Sequence, residues 1–122
     1  MDWTTKRCVP CEGGVARLDP DSARTAASWL DGWELRDDAT RLHKRLRHAD
    51  FLAAMRFVDA MARVAEAEGH HPDFCVHYAT VDVTIWTHAA GGLTQNDFIL
   101  AAKLDALPEA RGAAAGAPSS AG

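Results

Sequence analysis

The sequence lacks any long apolar segment. None of its stretches approaches the ~18 uninterrupted apolar residues that a membrane-spanning helix requires, and its N-terminal Met-Asp-Trp-Thr-Thr-Lys-Arg has no apolar export signal. Cysteines are also few, and because the three are an odd number in a chain without such a signal, a disulfide framework is not expected. These absences predict a cytoplasmic protein with reduced thiols and no membrane partner.

An excess of positive charge is absent as well. The chain has 13 lysines and arginines against 17 aspartates and glutamates, a formal net charge of -4, whereas nucleic-acid binding requires a concentrated basic surface. The one basic stretch, Arg41–Arg47, alternates charged with apolar residues, which is typical of the solvated face of a strand. We therefore do not expect direct binding to nucleic acid.

Composition and length favour a single domain. Hydrophobic residues make up 48% of the chain and charged residues 25%, which is the balance of a globular protein with one modest core. The C-terminal residues are mainly Ala, Gly, Ser and Pro, which cannot bury enough apolar surface to fold. The predicted organisation is an N-terminal extension at 1–18, a domain at 19–107 and a disordered tail at 108–122.

Hydrophobic periodicity predicts three helices and four strands. The helices are expected from Pro20 to just before Gly32, from Ala49 to Glu68, and from Thr94, with Asp97 completing a capping box, to about Leu107. The strands are expected at 33–37, 40–46 and 74–78 and from 81 through 85 to His88, which ends the fourth strand. This order of elements favours an α+β fold in which a four-stranded antiparallel sheet has three helices packed on one face.

Three of the six histidines, His70, His71 and His88, lie at the ends of predicted elements, where side chains can meet at a cleft. Glu66 precedes His70 by one helical turn, so its carboxylate is expected to orient the His70 imidazole. Pro72 holds His71 extended, and the two adjacent rings should point in different directions. Such histidines suit acid-base chemistry near neutral pH, although adjacent histidines after a helix are often ordinary surface residues.

A metal site is not expected. Cys8-Val-Pro-Cys11 has the spacing of half a tetrahedral zinc site, but the sequence contains no second pair of this kind. A metallohydrolase that uses the histidines is also disfavoured, because the adjacent His70 and His71 are the only closely spaced ligand pair on one element.

Four segments together resemble the signature of the pterin-4a-carbinolamine dehydratase family. The segments are Glu66-Ala-Glu-Gly-His-His-Pro-Asp73, then Tyr78, then Ile85-Trp-Thr-His88, then Gly92-Leu-Thr-Gln-Asn-Asp97. The order of elements, from the helix near Pro20 to Leu107, is similar to that of the family too.

The resemblance implies a lyase that removes water from a 4a-hydroxytetrahydropterin to form a quinonoid dihydropterin, without a cofactor. It implies that members assemble as homodimers or homotetramers, and that the product is recycled to a tetrahydrobiopterin-type cofactor. By the same resemblance His70 and His88 are the proton donors, Glu66 supports His70, and His71 chiefly binds substrate.

Three further residues are substrate-site candidates by resemblance or position. Trp33 matches a tryptophan that lines the family's site, and Asp97 matches the aspartate that closes the signature. Packing in the core or at an interface would explain Trp33 and Trp86 as well as stacking on a pterin would. Helix capping alone would explain Asp97.

A non-catalytic binding or assembly protein on the same fold is the alternative. Some relatives are dimerisation partners of a transcription factor, and others look like assembly factors for the carbon-fixing carboxylase. An intact set of three histidines with a carboxylate favours the enzyme, because a scaffold does not need them.

Overall fold

The computed structural model describes residues 2–9, 16–110 and 114–115, and within them the chain forms three α-helices and a mainly four-stranded sheet. The elements are α1 (Pro20–Ala27), β1 (Glu34–Arg36), β2 (Arg41–Arg47), α2 (Phe51–Glu68), β3 (Asp73–His77), β4 (Thr80–Ile85), α3 (Gln95–Asp105) and β5 (Ala114–Ala115). Short 3-10 turns occupy Trp3–Thr5, His88–Ala90 and Pro108–Ala110. The predicted α+β class is confirmed. No helix in these described ranges is long and apolar enough to cross a membrane.

The sheet is antiparallel with the order β1-β2-β4-β3, so β2 and β4 are central and β3 is an edge strand. Leu42 pairs with Ile85 and Leu46 with Val81 across the two central strands. These side chains are at most 3% exposed and pack in one core with α2 and α3. Because side chains alternate along a strand, the charged residues of Arg41–Arg47 point mainly to the helix-free face, except for Lys44. The predicted solvated strand face is thus present there, although His43 on it is only 5% exposed.

Two helices, α1 and α3, begin where capping residues predict, whereas α2 begins at Phe51, after the predicted Ala49, because Asp50 caps it. The Asp19 side chain accepts a hydrogen bond from the backbone N–H of Ser22, with Pro20 in the first turn, and Thr94 and Asp97 form the expected capping box of α3. The first helix is shorter than predicted and ends at Ala27. The Ser28 hydroxyl there donates to the Thr25 carbonyl, a local bond that competes with continuing the helix.

Two residues predicted to lie in strands are in turns. Tyr78 joins β3 to β4 with a φ of +53° and is 60% exposed, so β3 ends at His77. His88 was expected to end β4, but that strand ends at Ile85 and His88 begins a 3-10 turn. The backbone N–H of Thr87 bonds to the carbonyl of Gly92, which closes a loop and draws the chain away from the sheet.

Both predicted terminal segments contain ordered residues that contact the domain. Trp3 stacks on Phe98 of α3 with ring centroids 5.8 Å apart. Towards the C-terminus, Ala110 is buried in the 3-10 turn Pro108–Ala110. The backbone of β5 pairs with β2. Residues 108–110 and 114–115 thus have secondary structure, and the rest of the predicted tail lies outside the described residues. The predicted division into extension, domain and disordered tail stays a prediction.

Candidate active site

A buried carboxylate connects the two loops that bear the three candidate histidines. Asp97 is 0% exposed, and its Oδ1 lies 2.6 Å from Nε2 of His70. Its Oδ2 accepts hydrogen bonds from the backbone N–H of Thr94 at 2.8 Å and from the hydroxyl of Thr87 at 2.9 Å. Thr87 immediately precedes His88. One side chain at the start of α3 therefore links the loop after α2 to the loop after β4.

The predicted contact between Glu66 and His70 is wrong. Oε1 of Glu66 lies 2.6 Å from Nε2 of His71 instead, and both side chains of this pair are largely exposed. The reason is Gly69, whose left-handed φ of +66° ends α2 and redirects the chain before His70 can complete another turn. His70 turns inward towards α3 and is 6% exposed, whereas His71 turns outward and back to the last helical turn.

The carboxylates also select the tautomers of two histidines. An ionised carboxylate can only accept, so the nitrogen that faces it must bear the hydrogen. Nε2 of His70 therefore donates to Asp97, and Nε2 of His71 donates to Glu66. In the neutral form of each ring, Nδ1 keeps the lone pair and is the nitrogen left for a substrate.

His88 is exposed at the start of its 3-10 turn and stacks on Trp86. The two ring centroids are 3.7 Å apart with an interplanar angle of 28°. The guanidinium carbon of Arg41 lies 3.4 Å from the Trp86 ring centroid. The indole N–H of Trp86 donates to Asp73 at 3.3 Å. Trp86 is therefore engaged by protein groups on its ring and at its nitrogen.

Trp33 lies elsewhere, in the core. It is 8% exposed, and its indole N–H donates to Asp105 at 2.9 Å, which also accepts from Lys44 at 3.0 Å. Burial raises the pKa of Asp105, and the contacts with Lys44 and Trp33 oppose that effect only in part. Asp105, the hydrogen-bond partner of Trp33, lies about two turns of α3 away from Asp97, which is roughly 12 Å along the helix axis at 1.5 Å per residue. Core packing thus accounts for Trp33, and its contact with substrate stays a prediction.

The N-terminal segment braces the start of α3, which the sequence did not indicate. The backbone N–H of Val9 donates to the Asn96 side chain at 3.0 Å, and that side chain donates back to the Val9 carbonyl at 2.8 Å. Asn96 is the neighbour of Asp97. Residues 2–9 are therefore part of the structure that holds Asp97 in place.

A second buried carboxylate, Glu68, fixes the same segment to α2. It accepts from the backbone N–H of Cys8 at 2.9 Å and from Lys103 at 2.7 Å, and it lies 3.3 Å from Arg7. Burial by itself raises the pKa of Glu68, but these hydrogen bonds and the positive charges outweigh it, so the pKa lies below the ordinary value of 4.5.

Cys8 is a protonated thiol in this environment. Burial, together with the negative charge of Glu68, raises the pKa of Cys8 to about 12. A metal ligand must be a thiolate, which such a pKa disfavours at neutral pH. Cys11, the other cysteine of the half zinc site that the spacing resembles, lies outside the described residues.

Sequence reasoning missed Thr87 and Thr94 as organisers of the site. Their hydroxyl oxygens are 2.9 Å apart and both residues contact Asp97. The available signal was their position: each is the threonine of a segment that resembles the family signature, next to His88 in one case and before Asp97 in the other.

Several known proteins are similar to this chain. Residues 16–107 match the family described as Pterin 4 alpha carbinolamine dehydratase. A relative from Halorhodospira halophila that bears the same enzyme name is 46% identical over 107 residues, covering 88% of this chain and 98% of the relative. The mitochondrial pterin-4-alpha-carbinolamine dehydratase 2 of Arabidopsis thaliana is 44% identical over 110 residues, covering 87% of this chain and 59% of that protein.

A solved structure is similar as well. The crystal structure of a transcriptional coactivator/pterin dehydratase from Brucella melitensis matches with a TM-score of 0.72 and 34% identity, covering 77% of this chain and 98% of that one. The match of residues 16–107 spans most of the chain, including all three candidate histidines and Asp97. The chain therefore belongs to the pterin-4-alpha-carbinolamine dehydratase family, a family of lyases.

Proposed function

We propose that the chain dehydrates a 4a-hydroxytetrahydropterin to the quinonoid dihydropterin by histidine acid-base catalysis. In this reaction the bond between the ring carbon and its hydroxyl oxygen breaks, and a proton added to that oxygen lets it leave as water. The neighbouring ring N–H gives up its proton, and its electrons form the new carbon-nitrogen double bond. One group that gives a proton and one that takes a proton are therefore sufficient.

The observation that best supports the proposal is the bridge formed by Asp97. It holds His70 at 2.6 Å through one oxygen and the residue before His88 at 2.9 Å through the other. Because Nε2 of His70 is engaged, its Nδ1 is free to exchange a proton with a ligand. One buried group thus contacts His70 directly and Thr87, the chain neighbour of His88, which brings the two histidine loops together in an arrangement that suits paired proton transfer.

The roles follow from these environments. His70 and His88 transfer the two protons, and although the resemblance made both of them donors, the reaction needs one donor and one acceptor. His70, whose Nδ1 bears the lone pair, takes the proton of the ring N–H, and His88 gives a proton to the leaving hydroxyl. Asp97 is a positioning residue that acts through His70. His71, held on the surface by Glu66, chiefly binds the substrate. A positioned imidazole contributes on the order of 10²–10⁴-fold to a proton transfer. The reaction needs no cofactor, and we place it in the cytoplasm in the recycling of a tetrahydrobiopterin-type cofactor.

Stopped-flow measurement of dehydration tests this function. The carbinolamine is generated in the instrument, and its loss is followed with and without the purified chain. The proposal predicts a rate that rises in proportion to the chain's concentration and does not change when a chelator is added. A rate equal to the spontaneous background at all concentrations would refute it, and inhibition by the chelator would favour a metallohydrolase.

A binding role is the second candidate, and α2 supports it. Phe51, Leu52 and Met55 are 46%, 64% and 37% exposed at the start of this helix. The similar protein from Brucella melitensis is described as both a transcriptional coactivator and a pterin dehydratase. A pure binding protein would show no dehydration above background in the same assay.

We also propose a homodimer or homotetramer. The edge strand β3 pairs only with β4 among the described residues, and Phe74 on it is 46% exposed. Unpaired edge strands and exposed apolar side chains are the usual sites of self-association. Light scattering should give two or four times the chain mass of 13.2 kDa at micromolar concentration. A single monomeric species would contradict the proposal.

A further inference from the structure

We propose that Trp86 is a positioning residue that holds the His88 ring in its catalytic orientation, and that Arg41 fixes Trp86 from the opposite side. This inference rests on the proposed function, because it assigns a task to His88. The sequence offered Trp86 as either a packing residue or a platform for the pterin. The geometry points to a third role, support of the neighbouring imidazole.

The two partners of Trp86 must cover opposite faces of its ring. Carbon atoms in van der Waals contact are about 3.5–4.0 Å apart. The guanidinium carbon of Arg41 at 3.4 Å and the His88 centroid at 3.7 Å from the ring centroid therefore both lie almost directly over the ring. Two such groups would collide on one face. Neither face is left free for a pterin to stack on.

Each neighbour of Trp86 is itself held. One guanidinium nitrogen of Arg41 donates to the carbonyl and to the hydroxyl oxygen of Thr40, at 3.0 and 3.1 Å. A guanidinium held over an indole face is attracted to it electrostatically. The indole N–H donates to Asp73, which opens β3 just after His71 and Pro72. The stack therefore also ties the His88 loop to the loop that bears His71.

His88 needs this support because little else restrains it. It is exposed, it lies in a turn of three residues, and Thr87 makes no side-chain cap to that turn. An exposed side chain without neighbours populates several rotamers, only some of which can meet a substrate. Displacement of a catalytic group by about 1 Å can cost on the order of 10²-fold in rate.

Trp86→Leu and Trp86→Phe test the inference, with Trp29→Leu as the matched control. Trp29 is 59% exposed on the segment after α1, so its replacement removes a tryptophan outside the proposed catalytic machinery. Trp86→Leu should lower kcat by on the order of 10- to 100-fold while KM changes less than about threefold. Trp86→Phe keeps a flat ring between the two partners and should restore most of kcat. Trp29→Leu should leave both constants unchanged.

Two kinetic results would overturn the inference. One is a kcat of Trp86→Leu within about twofold of the wild type. The other is an equal loss in Trp86→Phe and Trp86→Leu, which would mean that the N–H bond to Asp73 matters and the stacked ring does not. Neither result changes the dehydration activity of the wild type, so neither would refute the proposed function.

An NMR measurement is independent of activity. Ring protons stacked on an indole face are shifted upfield, so the His88 ring protons should lie upfield of those of the exposed His77. The shift should disappear in Trp86→Leu. Wild-type His88 protons at ordinary positions would overturn the inference even if the chain is active, whereas an inactive wild type with shifted protons would refute only the proposed function.

Discussion

Replacing Asp97 with asparagine tests how the site is organised. Asparagine keeps the shape of the side chain but removes its negative charge. It also has a single acceptor oxygen, because an N–H₂ group replaces the second carboxylate oxygen. If that oxygen keeps the bonds to Thr94 and Thr87, the new amide N–H₂ faces Nε2 of His70. An N–H group cannot accept a hydrogen bond, so Nε2 must lose its hydrogen. The hydrogen of neutral His70 would then move to Nδ1, and the lone pair offered to the substrate would be lost.

The cost in stability follows from the three contacts of the carboxylate. Hydrogen bonds to a charged group contribute about 1.5–3 kcal/mol and neutral ones about 0.5–1.5 kcal/mol. Weakening three bonds by about 1 kcal/mol each gives a loss of about 3 kcal/mol in the free energy of unfolding. Asp97 is fully buried, so solvent does not screen this loss. For a domain of this size the melting temperature should fall by on the order of 10 °C or more.

Activity should fall further than stability alone explains. At a temperature where the variant is still folded, loss of the correct tautomer should lower kcat by on the order of 10²–10⁴-fold. Asp50→Asn is the matched control, because Asp50 caps α2 through the backbone N–H of Ala53. Asparagine caps a helix about as well as aspartate, so this control should change neither melting temperature nor kcat appreciably.

The assays are thermal denaturation, stopped-flow dehydration and nitrogen NMR of His70. If folded Asp97→Asn has wild-type kcat, the tautomer argument fails. If its His70 still has the hydrogen on Nε2, the assignment of the hydrogen bond is wrong as well.

Three other predictions concern neighbouring groups. Glu66→Gln should raise KM a few-fold with kcat nearly unchanged, because Glu66 holds His71, which chiefly binds the substrate. A drop in kcat without a change in KM would contradict this prediction. Alkylation with iodoacetamide at pH 7.5 should modify the exposed Cys75 well before Cys8, whose pKa of about 12 keeps it protonated; equal rates by peptide mass spectrometry would show that Cys8 is not shielded. Because folding lowers the pKa of Glu68, its contribution to stability is complete above about pH 4.5 and is lost as the pH falls through the folded-state value. The difference in melting temperature between the wild type and Glu68→Gln should therefore shrink on acidification, and a constant difference would contradict the pKa shift.

Helix starts and the general fold could be predicted from the sequence because their signals are local. Asp19 with Pro20, and Thr94 with Asp97, satisfy backbone N–H groups within one turn, so a few neighbouring letters determine them. Alternation of apolar residues likewise predicted the buried face of β4, where Val81, Val83 and Ile85 are 0% exposed.

The site's internal contacts could not be predicted in the same way. The pairing of Glu66 with His70 assumed that the helix continues, but the positive φ at Gly69 turns His70 away and leaves Glu66 beside His71. The sequence contained Gly69 as a stop signal, yet the direction of the chain after a left-handed residue depends on tertiary packing. The exit of His70 towards a carboxylate on α3 is such a tertiary contact.

The stack at His88 depends on long-range pairing of strands. Leu42 pairs with Ile85, which brings the preceding Arg41 beside Trp86 on the helix-free face. A shift of one residue in this register would send Arg41 to the other face. Nothing local to either strand specifies that register, so sequence reasoning left Trp86 open between packing and pterin stacking.

The central claim is that His70 and His88 transfer the protons of the dehydration. Its most direct test is kcat for His70→Ala and His88→Ala in the stopped-flow assay, with the exposed His77→Ala on β3 as the control. Each of the first two variants should lose on the order of 10²-fold or more, whereas His77→Ala should match the wild type. Wild-type kcat in both His70→Ala and His88→Ala, with the chains shown to be folded, would contradict the account.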